Sequence, residues 1–271
     1  MNPTPFKALT IAGSDTSGGA GLQADIKTFQ ELGVYGMVAI TCIVAQNPNA
    51  EWRHDVYPIE LSTVEAQLAT VLGGIGVHAA KTGMLATKEL VELVVTTVKK
   101  HNVPNLVIDP VMACKGASEP LSPEVADALR DDLMPLSTVI TPNLYEAGIM
   151  SGLGLITTVE GMEEAARLLY KAGARNVLVK GGNKLQGATT AIDILYDGNT
   201  ITRLESELIP NAYTHGAGCT ISAAITANLA KGMPVKTAIQ EAKKFETAAI
   251  RASFPLNQWV GPLRHDAWRR V

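Results

Sequence analysis

The chain has 271 residues, 46% hydrophobic and 18% charged, with 23 Lys plus Arg against 26 Asp plus Glu and a formal net charge of −3. A sequence pI near 6.0 leaves no general basic field, which excludes nucleic acid and anionic lipid as expected partners and turns attention to small-molecule chemistry. A single α/β domain of this length buries roughly three quarters of its unfolded surface and needs neither disulfides nor a structural metal.

In chain order, apolar runs of strand length alternate with segments of helical period. Residues 8–12 read as a strand, a Gly-rich turn follows, and Leu22, Ile26, Phe29 and Gly33 mark one helix face. Strand 36–45 and helix 62–72, strand 77–81 and helix 87–100, and strand 105–109 and helix 122–133 repeat the unit. Strand 139–141 leads to helices beginning at Asn143 and Val159, and strand 176–180 follows. Residues 190–205 read as an antiparallel hairpin around Asp197, Gly198 and Asn199. Two Ala-rich helices, 217–231 and 235–251, complete the chain. The expected fold is one α/β domain over residues 1–271, a mainly parallel sheet covered on both faces with a small antiparallel edge. Loops 13–21, 46–60 and 110–121 all follow strands, so they are expected on one face, where open α/β sheets bind ligands.

The longest apolar stretch, residues 36–45, is shorter than the roughly 20 residues that span a bilayer, and the N-terminus shows no charged-then-apolar signal pattern. No membrane association and a cytoplasmic location are expected. Cys42, Cys114 and Cys219 match no zinc or redox spacing. Arg264, Arg269 and Arg270 read as a solvated tail.

Several segments carry chemistry. The loop Gly13 to Gly21 joins a strand to a helix, so its amides can approach an anionic or planar ligand unobstructed by Cβ atoms. Gly19, Gly21 and Ala24 also fit a dinucleotide fingerprint, but Gln46 and Asn47 stand where that reading needs an acid. No GxxxxGK[ST] loop occurs, so any ATP site is built differently. His215, Gly216, Ala217, Gly218, Cys219 and Thr220 form a glycine turn opening into an apolar helix, whose free amides and dipole favour phosphoryl oxygens. Cys219, on the first turn, is expected to have a lowered thiol pKa and to serve as a base; the alternative is a small buried Cys in an Ala-rich helix. Asp109 and Glu146 suit a hard cation such as Mg²⁺, or else act as a loop cap and a helix-dipole partner. Lys180, before Gly181 and Gly182, is placed to reach a phosphate or is merely solvated.

GSDTSGGAGLQADIKTF at 13–29, KTGML at 81–85, DPVM at 109–112, TPN with Glu146, VKGG at 179–182 and HGAGCT at 215–220 together resemble the ribokinase-like vitamin kinases of the pyridoxal and hydroxymethylpyrimidine kinase branch. The resemblance spans nearly the whole chain. It implies a three-layer α/β/α fold, a homodimer, ATP and Mg²⁺ as cofactors, and transfer of the γ-phosphoryl group to a hydroxymethyl group on an aromatic heterocycle. Pyridoxal is the first choice of acceptor, with pyridoxine and pyridoxamine beside it; hydroxymethylpyrimidine or its phosphate, or both activities, is the alternative. By the same resemblance Cys219 is the base, and Gly216, Ala217 and Gly218 stabilise the transferring group. Asp109 and Glu146 act through the metal, while Asn143, Lys180, Gly182, His215 and Gly218 meet the nucleotide. Gly13, Asp25, Gln46, His54, Met84, Val111 and Met112 meet the acceptor. The segments 111–116 and FPLNQWVGP at 254–262 look like those of bacterial relatives with a lid cysteine, which makes Cys114 a candidate for reversible addition to an aldehyde. Gln46 and Asn47 depart from that subgroup and resemble the pyrimidine kinases. A sensor that binds the heterocycle without turnover is the alternative from another class; intact Asp109, Glu146 and Cys219 argue against it.

Overall fold

The computed structural model describes residues 4–112, 122–185 and 187–270. The strands β1 (Lys7–Asp15), β2 (Tyr35–Asn47), β3 (Arg53–Pro58), β4 (Ala79–Thr82), β5 (Leu106–Ile108), β6 (Val139–Ile140), β7 (Val177–Lys180), β8 (Thr190–Tyr196) and β9 (Ile201–Glu207) form one sheet in the order 3-2-1-4-5-6-7-8-9. β2, β1, β4, β5, β6 and β7 run parallel, and β3, β8 and β9 pair antiparallel at the two edges.

The central strands are mainly apolar because both sheet faces are covered. On one face, Leu106, Ile108, Val177 and Val179 pack with α2 (Leu61–Leu68), α3 (Lys88–His101), α4 (Pro123–Ala128), α5 (Leu144–Ser151) and α6 (Val159–Lys171). The alternating residues Val107 and Leu178 point to the other face, against α1 (Gly21–Glu31), α7 (Ala217–Ala230) and α8 (Val235–Arg251). This is the expected three-layer arrangement. α7 is buried from Thr220 to Ala230, as a helix without a polar face must be; its small residues let it lie between α1 and α8.

The expected hairpin is β8 and β9, but the opposite edge is also antiparallel, since residues 53–58 of the expected loop 46–60 are strand β3. Its alternation is obscured by Arg53, Asp55 and Pro58, residues tolerated where a strand has a neighbour on only one side. The strand brings His54 opposite Gln46. The carboxyl ends of β1, β2 and β5 do share one face, and a single cavity is lined there by Asp15, Gln46 and Asp109.

Candidate functional site

The cavity has a volume of about 290 Å³. One wall is the start of α7, entered through Gly216 in the left-handed region (φ 87°). A Cβ there would overlap the carbonyl oxygen of Gly19, so the close approach of two loops requires glycine. Ala217, Gly218 and Cys219 follow along the cavity; the Ala217 amide donates to the Thr214 carbonyl at 3.2 Å, and those of Gly218 and Cys219, in the first turn, have no partner within the helix.

Asp15, at the end of β1, ties these loops together. Its Oδ2 accepts from the amides of Gly19 (3.2 Å) and Ala20 (2.7 Å) and lies 2.8 Å from His215 Nε2. Its Oδ1 accepts from the Ser17 amide (2.9 Å) and from Gln46 Nε2 (2.7 Å). Burial opposes ionisation, but the bonds from His215, Ser17 and Gln46 outweigh it and hold this carboxyl far below the usual carboxylate range. An ionised carboxylate only accepts, so His215 Nε2 carries the hydrogen.

At the opposite flank, Asn143 and Glu146 form a capping box at the start of α5: Asn143 Oδ1 accepts from the Tyr145 and Glu146 amides, and Glu146 Oε2 accepts from the Asn143 amide at 2.7 Å. Asp109 Oδ1 pairs with Lys180 Nζ at 3.0 Å. Burial pushes the Glu146 carboxyl up to about 7, with Lys180 opposing and the negative Asp109 adding to the rise. Burial alone would lower the Lys180 pKa, but Asp109 and Glu146 raise it above the ordinary range. The surplus of buried negative charge is what a divalent cation relieves. Among the described residues no three acidic, His or Cys side chains form a protein-only metal cage, and Mg²⁺ at phosphates needs only one or two carboxylates with water and phosphate. The Asp109 and Glu146 pair therefore fits such an ion.

The expected lowering of the Cys219 pKa is overturned. Burial pushes the thiol up to about 12 against the pull of the Lys81 ammonium, and the charges of Asp25 and Asp109 add to the rise. The helix start is real, but desolvation of the sulfur is the larger effect here.

Gly13, Gln46, His54, Met84, Val111, Asn143, Lys180 and His215 line the same cavity. Val44, Met84 and Val111 make its apolar side, packed with Cys42 and Val56. Asp25, expected at the acceptor, lies outside the lining; fully buried, it accepts from Thr10 Oγ1 (2.6 Å) and Lys81 Nζ (2.9 Å). Met112 is core and Gly182 is also outside the lining. Cys114 lies outside the described residues. Asp15 and Lys81 had no expected role. A Lys in the apolar strand Ala79–Thr82 was itself a signal of a buried partner, and an Asp two residues before Ser17 in a glycine loop signals an Asx turn.

Two measurements follow from this geometry. Asp25→Ala strands a fully buried ammonium, so urea unfolding should show a loss of about 3–5 kcal/mol, whereas a direct ligand contact would instead show mainly in KM at near-normal stability. A carboxyl raised from 4.5 to about 7 contributes stability that is present below the unfolded value and lost as pH rises through 7. Without added divalent cation, Glu146→Gln should therefore gain on the wild type in unfolding free energy between pH 5 and pH 8; a constant difference would contradict the shift.

A family model described as phosphomethylpyrimidine kinase matches residues 15–264. The chain is 60% identical over 263 residues to pyridoxine kinase of Bacillus subtilis (strain 168), covering 97% of each. It is 42% identical over 268 residues to the hydroxymethylpyrimidine/phosphomethylpyrimidine kinase of Haemophilus influenzae, covering 98% of each. Its fold matches that of the Staphylococcus aureus pyridoxal kinase in complex with AMP-PCP and pyridoxal with a TM-score of 0.93 at 44% identity, over 99% of this chain and 96% of that one. With the sheet order, the paired glycine loops and this agreement along nearly its full length, the chain belongs to the phosphomethylpyrimidine kinase family.

Proposed function

We propose that the chain transfers the γ-phosphoryl group of ATP to the hydroxymethyl group of pyridoxal, giving pyridoxal 5'-phosphate, and accepts pyridoxine and pyridoxamine as well. The observation that carries this reading is that one cavity joins three parts. These are the amides of Gly216, Ala217 and Gly218, the charged flank of Asp109, Glu146 and Lys180, and an apolar side of Val44, Met84 and Val111 that suits a flat ring. The relative at 60% identity is a pyridoxine kinase, and a structural neighbour holds an ATP analogue and pyridoxal together.

Phosphoryl transfer depends on position and charge rather than on covalent chemistry by the protein. The amides at the start of α7 stabilise charge on the transferring oxygens. Lys180 and Asn143 orient the nucleotide phosphates, and His215 supports the turn that holds the amides. Asp109 and Glu146 would hold Mg²⁺, which neutralises phosphate charge when bound. Cys219 takes the proton of the acceptor hydroxyl as its oxygen attacks the γ-phosphorus and ADP departs with the electron pair of the broken P–O bond. Lys81 and the Gly21 amide favour the thiolate while burial opposes it, so at neutral pH the base is a minor species. We place the activity in the cytoplasm, in a homodimer.

Gln46 on the cavity wall, with a pyrimidine kinase relative at 42% identity, favours a second reading in which hydroxymethylpyrimidine or its phosphate is also an acceptor. ADP-release assays with each acceptor decide: kcat/KM strongly favouring the pyrimidine would overturn the order of substrates and leave the chemistry intact.

Cys219→Ala should lower kcat by about 10²-fold or more with ATP affinity little changed. Wild-type kcat should rise about tenfold per pH unit from pH 7 towards 9, a limb that Cys219→Ala lacks; a flat wild-type profile would remove the thiol from the proton transfer. Cys114 adds its S–H across the pyridoxal aldehyde, sulfur to carbon and hydrogen to oxygen, to give a hemithioacetal. Cys114→Ala should then weaken use of pyridoxal more than of pyridoxine, which has no aldehyde; equal losses would exclude the addition.

A further inference from the structure

Asp15 is saturated by the protein itself. Both of its oxygens accept from its own loop, from Gln46 and from His215, so it has no capacity left for a ligand. Of its side-chain partners, Gln46 and His215 also line the cavity. An amide group has one donor end and one acceptor end. Turned round, Gln46 would set its Oε1 where Nε2 now sits, 2.7 Å from Asp15 Oδ1, with two acceptors and no hydrogen between them. Such an arrangement loses a charge-assisted hydrogen bond and gains repulsion in a part-buried setting. Because the bonds it accepts hold the Asp15 carboxyl far below the usual range, the constraint persists at every working pH. Gln46 Oε1 accepts no hydrogen bond from any described residue.

We propose that Asp15 is a positioning residue that locks the Gln46 amide with its carbonyl oxygen available to the ligand, so that the pocket selects heterocycles presenting an N–H or O–H donor on the ring edge beside β2. The inference rests on the reading of this cavity as the heterocycle site and adds the polarity of one wall to it. It also joins the two candidate acceptor classes. A ring hydroxyl next to the hydroxymethyl group and an exocyclic amine in the same place are both donors, and one fixed oxygen accommodates either. An ether or an unprotonated ring nitrogen at that edge faces the same oxygen lone pairs and is rejected.

The test compares substrate pairs differing only in that group: pyridoxine with its 3-O-methyl ether, and 4-amino- with 4-methoxy-5-hydroxymethyl-2-methylpyrimidine. In the wild type, kcat/KM should favour the donor of at least one pair by about tenfold or more. In Asp15→Asn the neighbour offers either a donor or an acceptor, Gln46 turns freely, and the ratio should fall towards unity whatever happens to the absolute rate. With Gln46→Met present, Asp15→Asn should no longer change the ratio. General loosening of the loop lowers both members of a pair together, so an unchanged ratio in active Asp15→Asn overturns the proposal. If that variant does not fold, side-chain ¹⁵N spectra of the wild type serve instead. A slowly exchanging Gln46 amide hydrogen that is lost on Gln46→Met supports the lock, and rapid exchange of both hydrogens overturns it. Absence of phosphorylation of any of the four compounds by the wild type would count against the functional reading, a result distinct from an unchanged ratio.

Discussion

The site depends on one close approach, that of Gly216 to the Gly19 carbonyl. Only a residue without a Cβ, able to hold a positive φ, allows it. The loop after β1 and the entrance to α7, 200 residues apart between Asp15 and His215, thereby become one wall. The Asp15 carboxylate stitches it from within, using its own loop amides on one side and His215 on the other. α7 can then point its first-turn amides into the cavity, and Cys219 comes to rest near the buried Lys81.

Around that wall the charges are arranged as buried pairs. Lys81 with Asp25, Lys180 with Asp109 and Lys243 with Asp193 lie at 2.9, 3.0 and 2.6 Å. Such pairs add little net stability, since desolvation cancels most of the attraction. Their effect here is on position. Asp193 also accepts from the Gly181 amide at 3.0 Å, which braces the turn that follows Lys180. Thr141 and Ser222 reach Asp109 at 3.4 Å. The charged flank is therefore held from the sheet, from α7 and from α8 together, which suits chemistry that relies on preorganised charge.

Much of this was legible in the chain. Alternating apolar runs and helical periods marked every central strand, because residues such as Leu106 to Ile108 have no alternative use in water. TPN with Glu146 foretold a helix start, and the capping box is present. Strand β3 escaped because an edge strand tolerates Arg53, Asp55 and Pro58, so its pattern fades into that of a loop. Asp25 and Met112 belong to motifs whose resemblance implies contact with the acceptor, yet both lie behind the cavity wall. A motif records which residues occur together and does not distinguish a wall from the layer behind it. Cys219 was expected to be acidic from its place on a helix, but its pKa is decided by the solvent it loses, which no local pattern contains.

The sequence by itself determined the parallel α/β architecture, the glycine turns and the family to which they belong, since periodicity and backbone freedom are local properties that each segment carries. Only the tertiary structure decided which side chains share the cavity, that Asp15 is fully occupied by protein donors, that Asp25 answers Lys81, and that the thiol is hard to ionise. Those outcomes depend on distances between segments far apart in the chain and on the exclusion of water, quantities that exist only once the layers have packed.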